Sequence, residues 1–261
     1  MARFCLGLFL VLAIGCGEDA APEKITDFSK WLWRNYDTAT DIQLADSIVQ
    51  LNGTVTSVTA DAPLKALVSR LSAADVKLVG SKGDASLAVG LLAVTEIRCT
   101  LAQIEKIQTA AEQNTLHPDD YDAYKRTFLQ SRDDYLAHKF NRLDWDTELT
   151  SDYATEKLRG SVRFIPDQGK AKSPFGAALV SRTFLKEPAV GVDSGTVWPQ
   201  DYQIEAFYER SPGKLIHLFA VWRQADFSGL STESAFLQNL QMGGFVDWDK
   251  VVETQCLSGK F

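Results

Sequence analysis

The stretch D-W-D-T-E-L-T-S-D-Y-A-T-E-K-L-R-G-S-V-R, residues 144–163, decides how this chain folds. Trp145, Thr147, Leu149, Ser151 and Tyr153 alternate with Asp144, Asp146, Glu148, Thr150 and Asp152. Leu158, Gly160, Val162 and Phe164 then alternate with Lys157, Arg159, Ser161 and Arg163. A period of two marks half-buried strands. One strand carries an acidic outer face and the next a basic one, as an antiparallel pair with a solvated face requires.

Outward from that pair the strands continue. Ala178 to Lys186 is a third. Tyr202 to Arg210 and Leu215 to Gln224 flank Ser211-Pro212-Gly213-Lys214, where Pro then Gly signals a type II-like hairpin turn. Residues 166–176 and 187–201 read as loops, and Leu92 to Cys99 as an earlier strand. The front of the chain, 25–80, reads as helical. Ile25, Phe28, Leu32 and Tyr36 share a helical face, with Trp31 and Trp33 beside them. Thr40 to Gln43 is a capping box for a second helix, stopped at Gly53, and Pro63 suits the start of a third. Ser72 opens a short turn of helix ending at Gly80. Thr100 to Gln103 is another capping box, and His117-Pro118 opens a long helix through Tyr121, Tyr124, Phe128 and Leu136. At the end, Ser231 or Thr232 caps a helix that Gly243-Gly244 breaks. Beyond the break, Trp248, Val251, Val252 and Cys256 share one face. The expected organisation is a helical region 25–80 followed by an α+β domain, 85–261.

The first residues, MARFCLGLFLVLAIGC, place a short positive region (Arg3) before an apolar run from Phe4 to Ile14. Eleven residues suit a signal peptide but fall short of the ~20 that span a bilayer. Ala13-Ile14-Gly15-Cys16 resembles the lipobox of bacterial lipoproteins. That resemblance implies removal of residues 1–15, lipidation of Cys16, a polar tether over 16–24, and a place in the cell envelope. Gly17, rather than aspartate, after the cysteine implies the outer membrane over the inner. The alternative is an ordinary secretory signal cut near Gly17 or Ala20.

The net charge is −7 for the whole chain, and loss of Arg3 with the signal leaves −8. An acidic protein with no basic block is a poor nucleic-acid binder. Of four cysteines, Cys5 leaves with the signal and Cys16 takes the lipid. Cys99 and Cys256 remain, an even pair for an oxidising compartment. A disulfide between them closes a loop of 157 residues, worth about 3–5 kcal/mol in the chain-entropy model. Two separate buried thiols are the other reading.

From residue 92 the order is strand, two helices, about five antiparallel strands, helix. This order resembles the helix-grip or START-like fold, in which a curved sheet wraps a C-terminal helix over an apolar cavity. The resemblance implies that Cys99 meets Cys256 on the last helix, and that the front helices pack as an extra layer.

Chemistry-bearing motifs are absent: no GxSxG, HExxH, P-loop, GxGxxG or zinc-ligand spacing occurs, so no metal or cofactor is expected. Of the histidines, His117 sits at a helix start and His138 at a charged helix end. His217 shares a strand face with Leu215, Phe219 and Val221 and is read first as a core histidine. Asp144, Asp146 and Glu148, or Asp119, Asp120 and Asp122, have the donors for calcium but not the EF-hand's glycine and distal glutamate. Tyr202, Tyr208, His217 and Phe219 are the candidate pocket-lining residues. Three functions follow: binding an apolar small molecule, assembly with an envelope partner through an exposed patch near Trp31 and Trp33, and hydrolysis at a dispersed site using His217. Intact mass of the membrane-fraction protein tests the address. The expected species starts at Cys16, carries acyl chains and gains two hydrogens on reduction; an unlipidated soluble chain makes it a secreted protein instead.

Overall fold

The computed structural model describes residues 20–116, 121–151, 154–167, 175–191 and 195–259. Cys16, His117, Asp119, Asp120, Asp152 and Tyr153 therefore lie outside the described residues. The chain opens with α1 (Ile25–Asn35) and α2 (Asp41–Thr54), then β1 (Leu64–Val68), α3 (Ala73–Lys77) and β2 (Val89–Ile97). Next come α4 (Leu101–Gln108), β3 (Ala123–Phe128), α5 (Arg132–Leu136), β4 (Arg142–Thr150), β5 (Thr155–Ile165) and β6 (Ala178–Leu185). The chain closes with β7 (Ala189–Val190), β8 (Thr196–Ser211), β9 (Lys214–Phe227), β10 (Leu230–Ser231) and α6 (Ala235–Leu257). Among the described residues all ten strands form one sheet with antiparallel pairing. Its order is β1-β2-β9-β8-β6-β5-β4-β3, with β10 beside β9 and β7 beside β8. The architecture is α+β: an antiparallel sheet with two N-terminal helices on one face and the C-terminal helix on the other.

The charge complementarity of β4 and β5 sets their register. Glu148 stands opposite Lys157 and Asp146 opposite Arg159, and the latter pair bonds at 2.8 Å. Toward the other end this face is not solvated. Arg163, expected outside, is buried and donates to the carbonyls of Tyr36 and Ala39 and to Asp41. Arg182 reaches Asp37 at 2.6 Å and lies over the Tyr36 ring. Two sheet arginines thus hold the α1–α2 corner. Trp31 and Trp33, expected beside an exposed patch, are buried in this layer's core. Trp33 meets the rings of Tyr202 and Trp222 edge-on and donates to the Asp75 carbonyl.

Both expected capping boxes are present, at Thr40/Gln43 and Thr100/Gln103. Other expectations need correction. The region 25–80 is not all helix. The segment after Pro63 is β1, because the bare edge of β2 offers main-chain partners that outweigh a short helical pattern. The long helix through Tyr124 and Leu136 is instead β3, then α5 capped by Ser131. Tyr124 and Phe128, four apart, fit a strand face as well as a helix face. Residues 187–201 hold β7 and the start of β8 rather than only loop. The last helix begins after Ser234 rather than at Ser231 or Thr232, since Ser231 pairs in β10. It also runs unbroken through Gly243-Gly244. Packing on either side of the glycines carries the helix across: Met242 joins Val89, Leu91 and Val221, and Phe245 packs on that cluster. A β-carbon at either glycine meets open space. Gly243→Ala and Gly244→Ala should each therefore stabilise the fold by about 0.5–1 kcal/mol, read as a higher urea midpoint.

Candidate functional site

Residue parity sorts the sheet into two unlike faces. On the α1–α2 face β8 and β9 present Tyr202, Ile204, Ala206 and Tyr208, with Ile216, Leu218, Ala220 and Trp222, all fully buried. The α6 face carries Asp201, Gln203, Glu205 and Phe207 beside His217, Phe219, Val221 and Arg223, and several of these are only partly buried. Of the four expected pocket residues, His217 and Phe219 therefore lie under α6. Tyr202 and Tyr208 lie on the opposite face and line no common pocket with them. The cause is a β-bulge between Glu209 and Ser211. A regular two-residue hairpin would set Tyr208 opposite His217; the extra residue sets Phe207 there instead. A one-residue shift exchanges the faces of a strand.

The C-terminal half of α6 is pinned at several points. Cys256 is disulfide-bonded to Cys99. Glu253 binds the main-chain N–H and guanidinium of Arg98 at 2.7 and 2.6 Å. Asp249 is buried and accepts from Thr95 and, at 2.7 Å, from His217 Nδ1. The other ring nitrogen of His217 meets Glu205 at 3.2 Å, and Glu205 also accepts from Gln108. Phe207 stacks on the imidazole, 4.1 Å between centroids. Burial alone would lower the pKa of this histidine. The charges and hydrogen bonds of Asp249, and then Glu205, outweigh it and push the value up to about 9. His217 is an imidazolium at neutral pH, with both nitrogens spent on carboxylates. It clamps a helix to a sheet and has no nitrogen left to act on a substrate.

The N-terminal half of α6 covers a different environment. Gln238 donates to the Thr232 carbonyl beside the end of β9. Phe245 meets Phe219 edge-on at 4.6 Å. Between them, on the same helical stripe, the Gln241 amide is shut off from solvent, and among the described residues neither its oxygen nor its nitrogen has a partner. The sheet near this end holds Arg223, paired with Asp201, which also accepts from Gln203 at 2.7 Å. Arg223 lies 4.6 Å over the ring of Trp198. Trp198 is 8 % exposed and its indole N–H likewise finds no partner among the described residues. Burial pushes the carboxyl of Glu156 up to about 7, against the pull of Arg223 and with the push of Asp201. Deeper in, Gly160 leaves room for the Trp145 indole to lie on β5, and the Arg126 guanidinium caps that indole at 4.6 Å.

Among the described residues, no group of three His, Cys, Asp or Glu side chains is placed to hold a metal ion. Asp249 and Glu205 were missed in the sequence. Asp249 had a signal, an acid in the apolar stripe of Trp248, Val252 and Cys256. Glu205, Asp201 and Gln241 had none, because alternating polar residues on a strand read as a wet face.

No family model and no curated protein matches the chain. Among solved structures, it is similar to the lipid transfer and protein localization domain of human StarD13. That likeness has 11 % identity over 73 % of this chain and 84 % of that one, at a TM-score of 0.42. A START superfamily protein from Mycobacterium smegmatis aligns at 9 % identity, 65 % and 97 % coverage, and a TM-score of 0.40. A fragment of the STAR-related lipid transfer protein from Xanthomonas axonopodis aligns at 9 % identity, 76 % and 94 % coverage, and a TM-score of 0.40.

Two raised pKa values fix a pH dependence. A group held above its unfolded pKa contributes most stability when protonated. Glu156 therefore favours folding less as pH rises from 4.5 through about 7, and His217 less from 6.5 through about 9. Urea midpoints should fall across pH 4.5–9. Glu156→Gln should flatten the acidic part of that slope, and a wild-type midpoint that rises with pH in this window contradicts both assignments.

Proposed function

We propose that this protein binds an apolar or lipid-like small molecule between the sheet and the N-terminal half of α6, and that lipid on Cys16 holds it at the cell envelope. The observation that carries the binding role is the Gln241 amide. A buried amide without partners costs about 1–3 kcal/mol, and two groups of one side chain are left so here. A bound molecule offering both a donor and an acceptor removes that cost. The Trp198 N–H adds a second orphan donor at the same end. Arg223 and Asp201 already neutralise each other, so the fitting head group is uncharged, a hydroxyl or carbonyl. Phe219, Phe245 and Leu158 are partly buried and suit its apolar body. The anchor rests on the sequence of residues 1–16. Among the described residues no helix is long and apolar enough to cross a membrane.

A second reading, docking to an envelope partner, draws on Phe236 and Leu240. They lie one turn apart on α6, 67 % and 59 % exposed. Crosslinking in cells that recovers only monomer removes it.

Gln241→Leu separates ligand binding from simple packing. The variant should melt higher than wild type when stripped of lipid, since it deletes two orphan groups. It should also lose most of the rise in Tm that lipid extract gives the wild type. No co-purifying lipid in native mass spectrometry, with no lipid-dependent rise in wild-type Tm, overturns the proposal.

A further inference from the structure

At the hairpin end of the α6 face, far from Gln241, lies an open cleft of about 450 Å³. Its walls come from the first turns of α4, the end of β5, residues 175–177 and the tip of the β8–β9 hairpin. Two carboxylates line it, Glu105 and Glu209, with the rings of Phe164 and Phe175. Among the described residues no lysine or arginine does. Glu209 is held in place by the N–H groups of Leu101 and Gly213, at 2.8 and 3.2 Å. Glu105 differs. Its side chain is only 8 % exposed, and among the described residues one group lies within normal hydrogen-bond length of it, His138 Nε2, at 3.2 Å from each oxygen. A carboxylate has room for about four hydrogen bonds. Tyr135, fully buried behind it, approaches Glu105 without a hydrogen bond of normal length, and its pKa is raised by burial first and then by the Glu105 charge.

His138 itself stands in the left-handed region, φ 53°, just after α5. Glycine or asparagine is the usual residue there, and histidine costs about 1 kcal/mol more. The ring uses that conformation to stack on Phe164, 3.9 Å between centroids, while facing Glu105. Strain kept at one residue points to a use for its side chain. The backbone gains nothing from a histidine here; the cleft gains a cover over an under-coordinated carboxylate.

We infer that this cleft binds a small ligand bearing an ammonium group on an apolar body. The ammonium supplies the donors that Glu105 lacks, alongside or in place of His138. The phenyl rings take the apolar body and add cation–π attraction. This site is independent of the one beneath Gln241.

The test uses 2-phenylethylammonium, with 2-phenylethanol as the neutral isostere, and NMR signals of the His138 and phenylalanine rings in the full chain. The expected result is a saturable shift with the ammonium and none with the alcohol. Glu105→Gln should weaken binding by about tenfold or more. His138→Gly, which relieves the strained backbone and uncovers Glu105, should tighten it. Equal shifts with the alcohol, no shift with the ammonium, or Glu105→Gln binding like wild type each overturn the inference. Should Glu105→Gln fail to fold, His138→Gly binding no more tightly than wild type does so as well.

Discussion

One extra residue in β8, Arg210, determines which side chains each face of the sheet receives. It occupies the bulge before the hairpin turn and shifts the β8–β9 register by one. Everything from Tyr202 to Tyr208 is thereby exchanged between faces. The bulged residue is itself used. Arg210 donates to the carbonyls of Val55 and Val58 and to Asn52, at the C-terminal end of α2, where a cation also answers the helix dipole. The same residue that sets the register thus fastens the outer helical layer. Beyond it, Gly213 at φ 71° closes the turn that Pro212 begins.

The two faces are stabilised by different means. Against α1 and α2 the sheet is apolar and aromatic, and its arginines end on main-chain carbonyls and on Asp37 and Asp41. Against α6 it pairs charges out of water. A buried ion pair of this kind adds little net stability relative to a hydrophobic isostere, but removing one partner is costly. Its effect is to specify geometry: Asp249 can satisfy His217 in only one seating of the helix. That seating fixes the C-terminal half of α6 and leaves the N-terminal half, with Gln241, to meet whatever lies beneath it.

Much of the sheet was legible in the chain because β4 and β5 bury one face and charge the other, so a slip of one residue would be penalised on both. The capping boxes at Thr40 and Thr100 were legible because each is a local device. β1 was not, since its strand state depends on the distant edge of β2. Nor was β3, where a spacing of four suits both periods. The placement of His217 and Phe219 followed from strand parity. That of Tyr202 and Tyr208 failed because a bulge leaves no mark on hydrophobic alternation. Tertiary partners decide such features, and a single chain does not spell them out.

Cys99 and Cys256 bracket almost the whole sheet, and no other cysteine lies between them. The bond cannot form until the last turns of α6 have emerged, after every strand has been synthesised. With no internal competitor, oxidation within 99–256 has one outcome and needs no isomerase to sort it. A chain cut short between residues 232 and 255 keeps every described strand but shows a free thiol at Cys99. The state of that one sulfur therefore reports whether the chain has been made as far as residue 256.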